Sequence, residues 1–197
     1  MKYAQASDAS GDASGVTGRS KNHLRVFHSD DDAYINALVS AAVGLIDGAD
    51  GWLGRAISAQ TWECSVDRFP CSDAYGHAGR IYIPLAPLAS ITSVKYTGSN
   101  GVEADVAGYR TFGIGSTQPG YILPAIGNSW PSTICEPESV RIIFVAGYED
   151  VPHGIKHAIL LMVGSWFENR EDIGDGKMVE LPLASKALLM PHRNWRG

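Results

Sequence analysis

Two stretches of the chain carry apolar residues at one shared spacing, and this spacing constrains the fold more than any other feature. Within residues 35–46 and again within residues 151–170, apolar side chains recur at i, i+3, i+4, i+7, i+8 and i+11. That spacing places them on one face of an α-helix. Two helices with matching apolar faces are expected to pack against each other. The stripes comprise Ile35, Leu38, Val39, Ala42, Val43 and Ile46 in the first helix and Ile155, Ala158, Ile159, Met162, Val163 and Trp166 in the second.

The residues that precede these stretches also indicate helices. Ser29 is followed by three aspartates, and we expect its side chain to cap the first helix, because a serine oxygen can accept an unpaired N–H there. The aspartates would then lie at the positive end of the helix dipole. Pro152 is expected at the first position of the second helix, where the N–H that proline lacks would be unpaired anyway.

The second helix carries further apolar residues outside its stripe, namely Leu160, Leu161 and Phe167. A helix that is apolar on more than one side must be covered on more than one side. We therefore predict that these three residues make subunit contacts, with a neighbouring copy of the chain as the partner.

Between the two helices the apolar period changes to two. Apolar and polar residues alternate in residues 61–69 and 80–85, and Asn100-Gly101 is a strong signal for a hairpin turn. Residues 60–147 therefore predict an antiparallel β-unit. A short third helix is predicted to end at Leu189.

Together these elements predict an α+β fold, a small helical bundle of two long helices plus a short C-terminal helix, with an antiparallel β-unit inserted at about 60–147. Residues 1–20 are rich in Ser, Gly, Ala and Asp, so we expect a flexible N-terminal arm. Residues 21–190 would form a single domain, and residues 191–197 a C-terminal tail.

The bulk properties argue against several classes of protein. The net charge of −5 gives no sign of a surface that grips nucleic acid, which needs clustered Lys and Arg. Cys64, Cys71 and Cys135 lack the spacing of metal ligands, and reduced thiols are expected. We see no signal peptide and no apolar run near the ~20 residues that a membrane span needs. A soluble intracellular protein, without a membrane role, is expected.

His153 and His157 are four residues apart and could share a helix face as metal ligands. The zinc-protease pattern requires Glu after the first His, where this chain has Gly154, and no third ligand is evident. The sequence contains no nucleophile elbow and no phosphate loop. We predict no enzyme activity, no catalytic residue, no metal and no cofactor. A small metal-binding or hydrolytic domain is the less favoured alternative.

The C-terminal tail carries His192, Arg193, Trp195 and Arg196. Arg and Trp are favoured anchors of protein interfaces, and a tail can reach a partner. The alternative is a frayed end with Trp195 packed on its own domain. From the residues alone both interpretations stay open.

Several segments stand in an order that is typical of one family. They are TWECSVDRFP, RIYIPLAPLASITSVKY with a following Asn-Gly turn, GNSWP, VRIIFVAGYEDVPHGIKHAILLMVGSWFENRED and LPLASKALLMPHR. This ordered set resembles the head–tail connector (adaptor) family of tailed bacteriophages, and the resemblance covers roughly Lys21 to Trp195. Phage-derived particles such as gene transfer agents carry the same part.

The resemblance implies a structural role in the neck of a virion or phage-like particle assembled from proteins made in the bacterial cytoplasm. Members form a ring, commonly a dodecamer, beneath the portal protein, and they join the capsid vertex to the tail. They bind the portal on one side and the next tail-side neck protein, a stopper or terminator, on the other. Double-stranded DNA passes through the ring without specific binding. The alternative within the same machinery is another neck ring, such as a stopper or tail-terminator protein.

The resemblance also implies that the C-terminal segment docks on the portal, through Leu189, Pro191, Arg193 and Trp195. The chain departs from the family pattern at His192, where an aromatic residue is common. Its N-terminal arm is also longer than in the family.

Overall fold

Four α-helices and eight β-strands form in the residues that this computed structural model describes, which are 2–5, 13–71, 79–134, 136–169 and 182–194. This mixture confirms the predicted α+β class. In chain order the elements are β1 (Lys2–Gln5), α1 (Ala13–Leu24), α2 (Asp32–Ile46), β2 (Gln60–Val66), β3 (Ile81–Tyr82), β4 (Leu88–Thr97), β5 (Glu103–Asp105), β6 (Tyr109–Phe112), β7 (Tyr121–Pro124), β8 (Val140–Ala146), α3 (His153–Glu168), α4 (Leu183–Leu189) and a 3₁₀ turn (Met190–His192).

The chain divides into two compact units. The sheet unit contains residues 1–9 and 58–149 and holds all eight strands. The helical unit contains residues 10–57 and 150–197 and holds the four helices. The predicted division into an arm, one domain and a tail stays a prediction.

The larger sheet of the sheet unit has β8 at its centre. Its five strands lie in the order β1-β2-β8-β4-β5, and every neighbouring pair is antiparallel. Along β8, Val140, Ile142, Phe144 and Ala146 are fully buried, whereas Arg141 between them is exposed. This alternation puts one face of the central strand into the core.

The smaller sheet has three antiparallel strands in the order β3-β7-β6. Ile81 of β3 pairs with Ile122 of β7, and both side chains are buried. One face of this sheet therefore packs on the core, as is usual for antiparallel sheets.

Gly147 ends β8 at a position that excludes a side chain. Its φ is +126°, in the region that favours glycine, and a Cβ there would overlap the backbone carbonyl of Ser58. Its N–H donates to the Pro87 carbonyl at 2.9 Å. The close backbone approach explains why glycine follows the last residue of the strand.

The helical unit is built on the two stripes. Helices α2 and α3 pack against each other, as their matching spacing predicts. The stripe residues Leu38, Val43 and Trp166 are half-buried, and the other nine, which are Ile35, Val39, Ala42, Ile46, Ile155, Ala158, Ile159, Met162 and Val163, are buried.

The start of α2 differs from the prediction. The helix begins at Asp32 after Asp31, and no side chain caps it. Ser29 instead accepts the Asp32 N–H through its backbone carbonyl at 3.2 Å. The expected serine cap is therefore wrong, because the chain already turns through the aspartates before the helix begins.

Residues 1–20, for which the sequence predicts a flexible arm, contain β1 and most of α1. Strand β1 pairs with β2 in the register Lys2 to Ser65, and the Lys2 ammonium lies 2.6 Å from the Glu138 carboxylate. Helix α1 packs on α2 and α3. An edge strand is held by backbone hydrogen bonds. It can therefore form without the apolar side chains whose scarcity led to the prediction of a flexible arm.

Among the described residues, no helix has both the length and the apolar character required to cross a membrane.

Candidate assembly surfaces

Helix α3 presents apolar side chains on more than one side. Its stripe is buried in the helical core except for the half-buried Trp166, and Leu160, Leu161 and Phe167 outside the stripe are half-buried as well. The Phe167 ring lies 6.0 Å from the ring of Tyr34 on α2, so α2 covers part of it. Each of the three side chains keeps some surface open to solvent, and their role in subunit contacts stays a prediction.

The C-terminal helix lies on α3. The Ser185 hydroxyl donates to the Ala158 carbonyl at 3.3 Å, and both residues are buried. Leu189 is fully buried as well, whereas Pro191, two residues later, is exposed. Leu189 therefore fixes the end of α4 in the core, and its side chain is not presented to a partner.

A loop of the helical unit holds the residues that follow. The guanidinium carbon of Arg193 lies 4.5 Å from the centre of the Trp52 ring, a cation–π distance. The Asn194 backbone N–H donates to the Leu53 carbonyl at 2.8 Å, and its side-chain amide donates to the Gly54 carbonyl at 3.3 Å. The path of the chain is thus set by its own unit as far as Asn194.

His192 lies beside this loop. Its burial and, secondarily, the nearby Arg55 cation lower the pKa of His192 below the usual value. The imidazole is therefore neutral at neutral pH, and within residues 190–194 the positive charge resides on Arg193. Trp195, the last residue of the predicted docking set, lies outside the described residues.

The two histidines considered as metal ligands lie on the surface of α3. His153 and His157 are both exposed, and the ring of His23 on α1 lies edge-on to that of His157, with 6.1 Å between the ring centres. Across the described parts of the chain, no cluster of three or more His, Cys, Asp or Glu side chains could hold a metal ion.

The cysteines differ in environment. Burial raises the pKa of the Cys64 thiol to about 12, so this thiol is protonated and unreactive at neutral pH. Cys71 is exposed and free. Cys135 lies outside the described residues.

Sequence reasoning missed several exposed apolar side chains. Phe27 and Leu183 of the helical unit are 86% and 83% exposed, and Ile126 of the sheet unit is 83% exposed. No periodic signal marks them, because each lies outside the predicted stripes and strands. Isolated exposed apolar residues are common, and we assign no role to these three.

Comparisons with known proteins were informative at the level of structure. No protein-family model matches the chain, and no curated protein sequence matches it. A solved structure of the virion of a native gene transfer agent (GTA) particle contains a similar chain, with a TM-score of 0.74 and 22% identity, covering 100% of this chain and 97% of that one.

Two structures of particle necks contain similar chains as well. The neck of an empty GTA particle computed with C6 symmetry gives a TM-score of 0.67 at 21% identity, and the neck of a native GTA particle computed with C12 symmetry gives 0.66 at 22%. In both, the match covers 100% of this chain and 97% of the other. The chain shares their fold.

Proposed function

We propose that the chain is a structural component of the neck of a tailed phage or phage-like particle. Within the neck it would act as the head–tail connector (adaptor), forming a ring that joins the portal protein to the next tail-side protein. It performs no catalysis in this role.

The observation that carries the proposal is the whole-length match to particle chains. A shared fold does not by itself imply a shared function. Here, however, the match extends over 100% of this chain and 97% of its counterpart in the GTA virion, so neither chain has a large extra part. The ordered sequence segments support the same role independently of the fold.

The proposed ring contains twelve copies. The C12 symmetry of the native GTA neck supports this number, and head-to-tail contacts form a closed ring when the rotation between copies closes. The half-buried Leu160, Leu161 and Phe167 would extend the core of α3 into a contact with the next copy. The net charge of −5 suits a channel that DNA crosses without being retained.

The portal would bind the surface formed by the end of the chain. Pro191 is exposed and Arg193 is half-buried on Trp52, so these two residues and Trp195 are the docking residues that we propose. Leu189 would contribute indirectly, as the buried anchor of the segment.

Complementation of a strain that lacks the gene tests both the function and the docking surface. Without the protein we expect DNA-filled heads that have no tails, and the full chain should restore tails. A chain that ends at Asn194 should fold normally, since it keeps the contacts with the Trp52 loop, but it should restore few tailed particles.

The matched control is Phe27→Ala, which removes a strongly exposed apolar side chain elsewhere in the helical unit. It should restore tails as well as the full chain does. Normal tailed particles in the absence of the gene would overturn the proposed function. Full restoration by the truncated chain would overturn only the docking role of Trp195.

A further inference from the structure

The outer face of the three-stranded sheet carries a row of three aromatic rings. Tyr82 of β3 pairs with Tyr121 of β7, which pairs with Phe112 of β6, so the three side chains leave the same face side by side. The Tyr82 and Tyr121 rings are 5.7 Å apart, and the Phe112 and Tyr121 rings stack at 5.1 Å with planes 12° apart. Tyr82 is 54% exposed.

Two arginines flank this row on the same face. Side chains two residues apart in a strand share a face, which places Arg110 beside Phe112 in β6, and Arg80 directly precedes β3. The Arg80 guanidinium carbon lies 5.0 Å from the centre of the Tyr121 ring, and that of Arg110 lies 5.6 Å from the Phe112 ring. We call these five residues, Arg80, Tyr82, Arg110, Phe112 and Tyr121, the aromatic–arginine face.

The face carries positive charge in an acidic chain. Between residues 79 and 134 the only acidic residues are Glu103 and Asp105, and both lie on β5 of the other sheet. The chain as a whole has 21 acidic and 16 basic residues. A guanidinium stacked on a ring keeps its N–H groups in its own plane, where they can bind a carboxylate bidentately. The complementary surface is therefore acidic.

Cross-strand aromatic pairs stabilise any small sheet, and Arg110 also joins β6 to β7, since its Nε donates to the Pro124 carbonyl at 3.1 Å. Stabilisation of the sheet does not account for Arg80 or for the exposure of Tyr82. Tyr and Arg are enriched at the anchors of protein interfaces. Nucleic acid fits the face less well, because a duplex is held by many phosphate contacts and this face offers two cations within a negatively charged protein.

From this charge pattern and the stacked rings, we infer that the aromatic–arginine face binds an acidic surface of a second copy of this chain. The same chain supplies the required negative charge. Two copies cannot bind each other through this same face, because the arginines of one copy would then lie opposite the arginines of the other. The contact must join two different surfaces, which is the head-to-tail geometry that closes rings. The inference rests on the proposed function in that it names one subunit contact of the proposed ring.

Site-specific photo-cross-linking tests the inference in the assembled particle. Tyr82 is replaced by the photoreactive residue p-benzoylphenylalanine, and purified particles are irradiated. We expect an adduct of about twice the chain mass of 21.1 kDa, in which the cross-linked peptide comes from an acid-rich part of a second copy. Val102, which is 59% exposed on the β4–β5 turn, serves as the control position and should give little of this adduct.

A charge reversal adds a second readout. In the Tyr82 photoreactive chain, Arg80→Glu should lower the yield of the adduct about tenfold, since like charges would face each other. Arg68→Glu makes the same charge change at an exposed residue outside the face and should leave the yield unchanged. Circular dichroism should show the same fold for both variants.

Each other outcome counts against the inference. An adduct with a different particle protein, a nuclease-sensitive adduct with DNA, or no adduct at Tyr82 would overturn it while leaving the neck function intact. Absence of the chain from particles would instead overturn the proposed function. In that case the purified chain would be irradiated at high concentration. The inference would stand only if the adduct of two copies formed at Tyr82.

Discussion

The buried face of the five-stranded sheet and the outer face of the three-stranded sheet place aromatic side chains in opposite environments. In the five-stranded sheet Phe144 is fully buried on the central strand, whereas in the three-stranded sheet the Tyr82 ring is 54% exposed. Both sheets are antiparallel and pack one face on the core. The alternation of residues along their strands therefore does not distinguish the buried Phe144 from the exposed Tyr82. The difference lies in whether the chain itself supplies a covering layer. Large exposed apolar patches often mark interaction sites, which is the use that we infer for the aromatic–arginine face.

The largest effect is expected at the covered position. Phe144→Ala removes a fully buried ring and should lower the free energy of unfolding by about 3–5 kcal/mol, the range for Phe→Ala in a core. Urea unfolding followed by circular dichroism measures this. Ile126→Ala, at an 83% exposed residue of the same unit, should change the value by less than ~0.5 kcal/mol. Similar losses in both variants would contradict the burial contrast.

A second effect concerns the Cys64 thiol, which is buried in β2 of the larger sheet. Because burial holds the pKa of Cys64 at about 12 in the folded chain, against 9.0 for a free thiol, the unfolded chain loses this proton first. Stability from this group is complete below pH 9 and declines as the pH rises from 9 toward 12. Urea midpoints at pH 8, 9 and 10 should fall more steeply for the native chain than for Cys64→Ala. Parallel curves would show that the thiol is solvated.

The smallest effect is expected on the exposed face. Phe112 is half-buried and stacks on Tyr121, so Phe112→Ala should cost about 1–2 kcal/mol, of which the ring pair accounts for ~0.5–1.5 kcal/mol. The same urea experiment measures it. A loss as large as that of Phe144→Ala would mean that the small sheet depends on its outer face for stability, and the contrast between the sheets would fail.

Sequence periodicity predicted the helices that form the centre of the helical unit. The stripes of α2 and α3 arise because residues three and four apart lie on the same face of a helix. This spacing can be recognised within a short stretch of sequence. The end of α4 at Leu189 was predicted from a stop signal instead, because Pro191 cannot continue a helix. Alternation likewise located β8, where every second residue from Val140 to Ala146 is buried.

The N-terminal elements were missed because their partners are distant in sequence. Strand β1 pairs with β2, some sixty residues later, and backbone hydrogen bonds leave little mark on composition. Helix α1 is polar, although Ser20 within it is fully buried. Its position is set by packing on α2 and α3 and by the ion pair of Lys21 with Asp32 at 2.6 Å.

The candidate surfaces were predicted only in part. The sequence identified the C-terminal segment, but its buried Leu189 and exposed Pro191 have the same apolar character in a sequence. Likewise, Tyr82, Phe112 and Tyr121 come from three separate strands, and only their register brings the rings into one row.

The sequence by itself determined the helices and strands that bury one face, because burial of one face requires apolar residues at the regular spacing of a helix or a strand. Tertiary structure alone decided which apolar residues are covered. Whether a side chain is covered depends on partners that are distant from it along the chain, as the packing of Arg193 on Trp52 illustrates. For the same reason, the aromatic–arginine face becomes visible only once strand pairing has placed its five residues side by side.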